Sequence, residues 1–83
     1  LVNRVVPASD LMTEVRALAA DLAGKAPIAV RAIVAAVNDG TEMPLAQALA
    51  HEAALFGLVA STEDMREGTR AFLEKRKPVF KGA

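Results

Sequence analysis

The sequence predicts an all-α chain: four short helices preceded by a short extended segment. Three observations predict it. Leu11, Val15, Leu18 and Leu22 recur at helical spacing, and further apolar runs at similar spacing fill 27–38 and 44–60. Pro27 and Pro44 fall where a first turn tolerates a missing N–H. Gly24 and the Asn38-Asp39-Gly40 triplet fall where such helices would end.

Residues 1–6 alternate loosely and are closed by Pro7. They read as an extended connector or a single strand, and a strand would need a partner outside these residues. The chain opens on Leu1 in mid-pattern, so it is expected to be part of a larger protein or a processed product.

The first helix is expected over Asp10–Ala23, with Ser9 as N-cap, Asp10 in the first turn and Gly24 at the C-terminus. The second is expected over Pro27–Asn38. Ile28, Val30, Ile33, Val34 and Val37 surround most of it, which predicts burial between neighbours. Gly40 is expected to end it in the left-handed conformation. The third is expected over Pro44–Ala60, with Leu45, Leu49 and Phe56 on one broad side. Glu52 is the odd member there, at the edge of that face or paired across an interface. Short connections predict that consecutive helices pack as neighbours.

The last helix organises the chain. It is expected to start at the Thr62 cap, with Ser61 and Asp64 as a second possible cap, and to run towards Pro78. Glu63 and Asp64 suit the positive end of the helix dipole and Lys75, Arg76 and Lys77 the negative end. Met65, Phe72 and Leu73 fall near one face, and Arg70 and Glu74 are spaced to pair at i,i+4.

Composition narrows the function. The 83 residues carry a net charge of zero and are 53% hydrophobic, high for so small a domain. Either the core of a compact bundle uses all of that surface, or some of it faces a partner. Without cysteine there is no disulfide, thiolate nucleophile or zinc–sulfur site, which fits a reducing compartment; no leader is visible, and the cytoplasm is the expected location. Six acids and four bases precede residue 61, and four acids and six bases follow. The tail bases Lys75, Arg76, Lys77 and Lys81 could meet phosphates or be solvated. Neither nucleic acid nor membrane is expected as a partner: there is no tryptophan or tyrosine to stack on bases, and no uncharged span long enough for a bilayer. No phosphate loop and no metal-ligand spacing is evident. His51 is the only histidine, Glu52 beside it points elsewhere on a helix, and Asp39 and Glu42 have no visible partner. No catalytic residue is expected within the chain.

The ordered pattern Thr62-Glu63-Asp64, Glu67-Gly68, Ala71-Phe72, Glu74-Lys75-Arg76 and Pro78-Val79-Phe80 resembles the extreme C-terminus of the enoyl-CoA hydratase/isomerase (crotonase) superfamily. Leu1-Val2-Asn3-Arg4-Val5-Val6-Pro7, Ala26-Pro27, Asn38 ahead of Met43, and Glu52 with Phe56 extend the resemblance over essentially the whole chain. Val34 departs from it, standing where the family commonly has lysine.

The resemblance implies that residues 1–7 connect to an N-terminal core of the same protein. Residues 8–83 would then be the C-terminal helical part of the crotonase α/β fold, covering the active site and building a trimer or hexamer. It implies an acyl-CoA enzyme, with hydration of trans-2-enoyl-CoA in fatty-acid β-oxidation foremost and isomerisation as an alternative. The core would supply the oxyanion hole and the catalytic glutamates. The CoA thioester is substrate, and no cofactor is implied. Two site residues carry over. Phe72 would lie near the CoA bound by a neighbouring subunit, and Lys75 near its phosphates. Their i,i+3 spacing would place ring and ammonium on one helix face. Two other readings are a non-catalytic module that oligomerises through the second and third helices, and a small acyl-binding bundle acting alone.

Overall fold

The computed structural model describes residues 1–83. A single 3-10 turn, Ala8–Asp10, leads into α1 (Leu11–Ala23), α2 (Pro27–Thr41), α3 (Leu45–Ala60) and α4 (Glu63–Leu73). There is no strand: residues 1–7 are irregular, and Arg4 reaches the Glu14 carboxylate on α1.

Local chemistry sets most of the boundaries. Asp10 occupies the N-cap of α1, but neither it nor Ser9 caps through its side chain; the Ser9 hydroxyl donates to Asp10 Oδ1 at 2.9 Å. Gly24 ends α1 with φ −81°, an ordinary right-handed value. Pro27 opens α2 and Pro44 precedes α3 as expected. The end of α2 departs from expectation. It runs through Asn38 and Gly40 to Thr41, so Gly40 is helical and not left-handed. A Cβ at Gly40 would stand 3.6 Å from the Ala48 Cβ, an ordinary contact, so α2 packs against α3 at this turn.

The packing is sparse. α2 and α3 form an antiparallel hairpin, the main helix–helix contact of the chain, and α4 touches the end of α3. The main contact of α1 is with the 3-10 turn before it, so consecutive helices do not all pack as neighbours. The Cα radius of gyration is 15.9 Å, against about 12 Å for a compact domain of this length. Ala71 and Asp64 alone are buried. Ile33, Val34 and Val37 remain exposed because α2 has one helical neighbour and not several. The stripe Leu11, Val15, Leu18 and Leu22 on α1 is likewise uncovered. The apolar content therefore serves surfaces, not a private core.

Candidate functional site

The one densely bonded region is α4 with the tail that follows it. Thr62 caps α4 as expected: its Oγ1 accepts the Met65 N–H at 3.1 Å and donates to the Val59 carbonyl at 2.7 Å. Ser61 does not share that role; its hydroxyl donates to the Leu58 carbonyl at 2.7 Å. α4 ends at Leu73, well before Pro78, because a reversal supervenes. Lys75 takes φ 53°, and the Arg76 N–H returns to the Ala71 carbonyl at 3.0 Å.

After that reversal the tail runs back along α4, held by two carboxylates. Glu67 accepts two N–H groups from the Arg76 guanidinium, at 2.6 and 2.9 Å, and the Val79 backbone N–H at 2.9 Å. The Arg76 bonds foremost, then that of Val79, hold the Glu67 carboxyl at about 2, well below the usual carboxylate range. Glu67 and, next, Glu74 push the Arg76 guanidinium upward. Asp64, only 3% exposed, accepts Lys81 N–H at 2.7 Å and Gly82 N–H at 2.8 Å. The Asp64 N–H in turn donates to the Ala83 main-chain oxygen at 3.0 Å, which satisfies an orphan donor of the first turn. Sequence reasoning gave Asp64 to the helix dipole and missed these tail contacts. Arg70 does not pair with Glu74, whose carboxylate is taken by Arg76 Nε at 2.6 Å.

Phe80 closes the arrangement over Gly68, where a Cβ would meet the ring at 3.4 Å. Phe72 is 82% exposed and, with Phe80, Met65, Ala29 and Val59, lines a groove of about 380 Å³. Lys75 is exposed beyond the end of α4. It does not share a continuous helix face with Phe72, because the left-handed residue breaks the helical register; a backbone bond from Lys75 N–H to the Phe72 carbonyl, 3.2 Å, ties the two together instead. Of the four tail bases, Arg76 is spent on Glu67 and Glu74, while Lys75, Lys77 and Lys81 carry no ion pair.

Elsewhere, a groove of about 410 Å³ runs between α2 and α3, with Ile33, Val37, Leu55 and Phe56 among its walls and Glu52 its one charged residue. His51 Nε2 stands 3.3 Å from Asp39 Oδ2 but is not aligned for a hydrogen bond, and it has no other partner. That pairing was not legible in sequence. No group of three or more histidines, cysteines or acids stands together. No helix is long and apolar enough to cross a membrane.

This geometry coincides with a known one. The profile of enoyl-CoA hydratase/isomerase matches residues 1–83, the entire chain. The chain belongs to the enoyl-CoA hydratase/isomerase family. Similar proteins include the crotonyl-CoA hydratase of Syntrophomonas wolfei, 44% identical over 96% of this chain and 31% of that protein. The 2,3-dehydroadipyl-CoA hydratase of Escherichia coli is 42% identical over 99% of the chain and 32% of that protein. Among solved structures, an enoyl-CoA hydratase from Geobacillus kaustophilus superposes with a TM-score of 0.92 at 44% identity, over 99% of this chain and 31% of that one. One from Bacillus anthracis gives 0.91 at 37% identity, over 95% and 31%. The chain thus spans about a third of the length of its enoyl-CoA hydratase relatives, and its four helices match the C-terminal helical part of the crotonase fold.

Proposed function

We propose that this chain is the helical module completing an enoyl-CoA hydratase, with residues 1–7 joining it to an N-terminal core. The observation that carries the reading is the match over the whole chain to proteins named as hydratases of enoyl-CoA thioesters. In the full-length enzyme, water adds to C3 of a trans-2-enoyl-CoA, negative charge develops on the thioester oxygen, and a proton is then delivered to C2. Backbone N–H groups of the core stabilise that charge, since donors aimed at a developing oxyanion act mainly on the transition state. Within these 83 residues we assign no catalytic role and no metal ligand.

The assigned role here is binding and assembly. Phe72 and Lys75 form part of the CoA subsite, the ring offering an apolar surface and the ammonium a point charge for phosphate. The exposure of Phe72 and the absence of an ion pair on Lys75 support this. The uncovered stripe of α1 and the α2–α3 groove support a trimer or hexamer built on the core and on neighbouring copies. The lack of cysteine supports a cytoplasmic setting. Lys75→Ala in the full-length enzyme is the test. It is expected to weaken CoA-thioester binding and its salt dependence without altering the fold; unchanged affinity would sink the assignment of Lys75.

A further inference from the structure

Lys75 is the only non-glycine residue with positive φ, at 53°. It occupies the left-handed position of a Schellman turn, in which Arg76 N–H meets the Ala71 carbonyl at 3.0 Å and Lys75 N–H the Phe72 carbonyl at 3.2 Å. Glycine is the residue that position favours, because any Cβ crowds the neighbouring carbonyl there. A strained conformer of this kind persists where its surroundings over-determine it. Helix α4 fixes the chain before Lys75. Glu67 fixes it afterwards, through the forked pair with Arg76 at 2.6 and 2.9 Å and the Val79 N–H at 2.9 Å. Glu74 adds a third grip on Arg76 at 2.6 Å.

We infer that Glu67 is the positioning residue of the Lys75 subsite: by gripping Arg76 and Val79 it holds the left-handed turn that presents the Lys75 ammonium to the phosphates of the substrate nucleotide. The inference rests on the proposed binding role of Lys75. It adds a residue that touches no substrate and acts through the turn. It also explains why the one arginine of the tail's basic run is the residue withheld from the ligand: the planar guanidinium makes the bidentate clamp, and a flexible lysine is left to meet the phosphate.

The test is steady-state kinetics of the full-length enzyme with an enoyl-CoA and with the matching pantetheine thioester, which lacks the nucleotide. Glu67→Gln is expected to raise KM for the enoyl-CoA about fivefold, the scale of one lost charge-assisted surface contact. It should leave kcat unchanged and leave both constants unchanged for the pantetheine thioester. In a Lys75→Ala background the same substitution should add nothing, since the two changes remove one interaction. If Lys75→Ala raises KM and Glu67→Gln does not, the positioning role falls while the subsite stands. If Lys75→Ala has no effect, both fall. Equal rises for the two substrates, or a rise that persists in the Lys75→Ala background, also overturn the inference, because they mark a general structural role. Should Glu67→Gln not fold, Arg76→Lys keeps the charge and removes the fork; it should show the same rise in KM confined to the enoyl-CoA, and its absence would overturn the inference.

Discussion

Asp64 receives the Gly82 N–H at 2.8 Å from eighteen positions away in sequence. With the Lys81 N–H on its other oxygen at 2.7 Å, it fastens the tail across the first turn of α4. Removing that carboxylate leaves both amides without their partner, at a cost of about 1–3 kcal/mol. Asp64→Ala should therefore speed hydrogen exchange at Lys81 and Gly82 by about tenfold or more. Unchanged exchange would show that the Asp64 carboxylate does not fasten the tail, and that the Glu67 contacts and Phe80 packing suffice.

The second carboxylate gives a pH signature. Glu67 titrates at about 2 when folded, against an ordinary value of 4.5. Its ionised form is thus the one favoured by folding. Its contribution is fully present above pH 4.5 and is lost as pH falls from there through about 2. The Val79 amide resonance, which reports the Glu67 bond directly, should move with a midpoint near 2. A midpoint near 4.5 would mean that the Arg76 clamp does not form.

Two glycines beside the tail should respond in opposite ways. At Gly82, φ is 76° and a Cβ would lie 3.1 Å from Pro27 Cγ. Gly82→Ala should loosen tail docking by about 1–2 kcal/mol. Gly68 is helical and would place its Cβ at ordinary contact, 3.4 Å, from Phe80. Gly68→Ala should be neutral or stabilising by up to about 1 kcal/mol. Urea unfolding of both variants decides it, and equal losses would refute the distinction.

Lys75→Gly should separate stability from binding. Glycine relieves the left-handed strain, so stability to urea should rise by up to about 1 kcal/mol. CoA-thioester affinity should fall at the same time. A loss of stability would argue that the lysine side chain supports the turn.

The isolated 83 residues should self-associate, because Leu18, Ile33, Val37 and Phe56 lie uncovered together with most of the other large apolar side chains. Light scattering across a dilution series checks this. A cooperative, monomeric thermal transition at high dilution would contradict it.

What was legible in the sequence was what local chemistry decides. The i,i+3 and i,i+4 recurrence of Leu11 to Leu22, the prolines at 27 and 44 and the Thr62 cap each act within one or two turns, and all three features stand in the structure. The errors lie where distant residues decide. Gly40 looked like a terminator, but α3 packs close at Ala48 and the helix continues past it. Pro78 was expected to stop α4 or to fall just beyond its end; the helix ends at Leu73, because the reversal at Lys75 comes first. Asp64 binds backbone amides, which carry no residue identity, and the Glu67–Arg76 pair joins residues nine apart across a reversal that helical spacing does not announce. Phe72 and Lys75 were singled out by family resemblance and not by periodicity, and the helical spacing first used to join them is interrupted by the turn.

The uncovered stripe of α1 changes how tolerance to substitution should be judged. Leu18 is 59% exposed here, a value that would ordinarily mark it as free to vary. A deep mutational scan of the full-length protein should instead find Leu11, Val15, Leu18 and Leu22 as intolerant of lysine or aspartate as interior residues are. Solubilising changes aimed at this stripe to rescue the isolated module would then be the changes that prevent it from packing in the full-length protein.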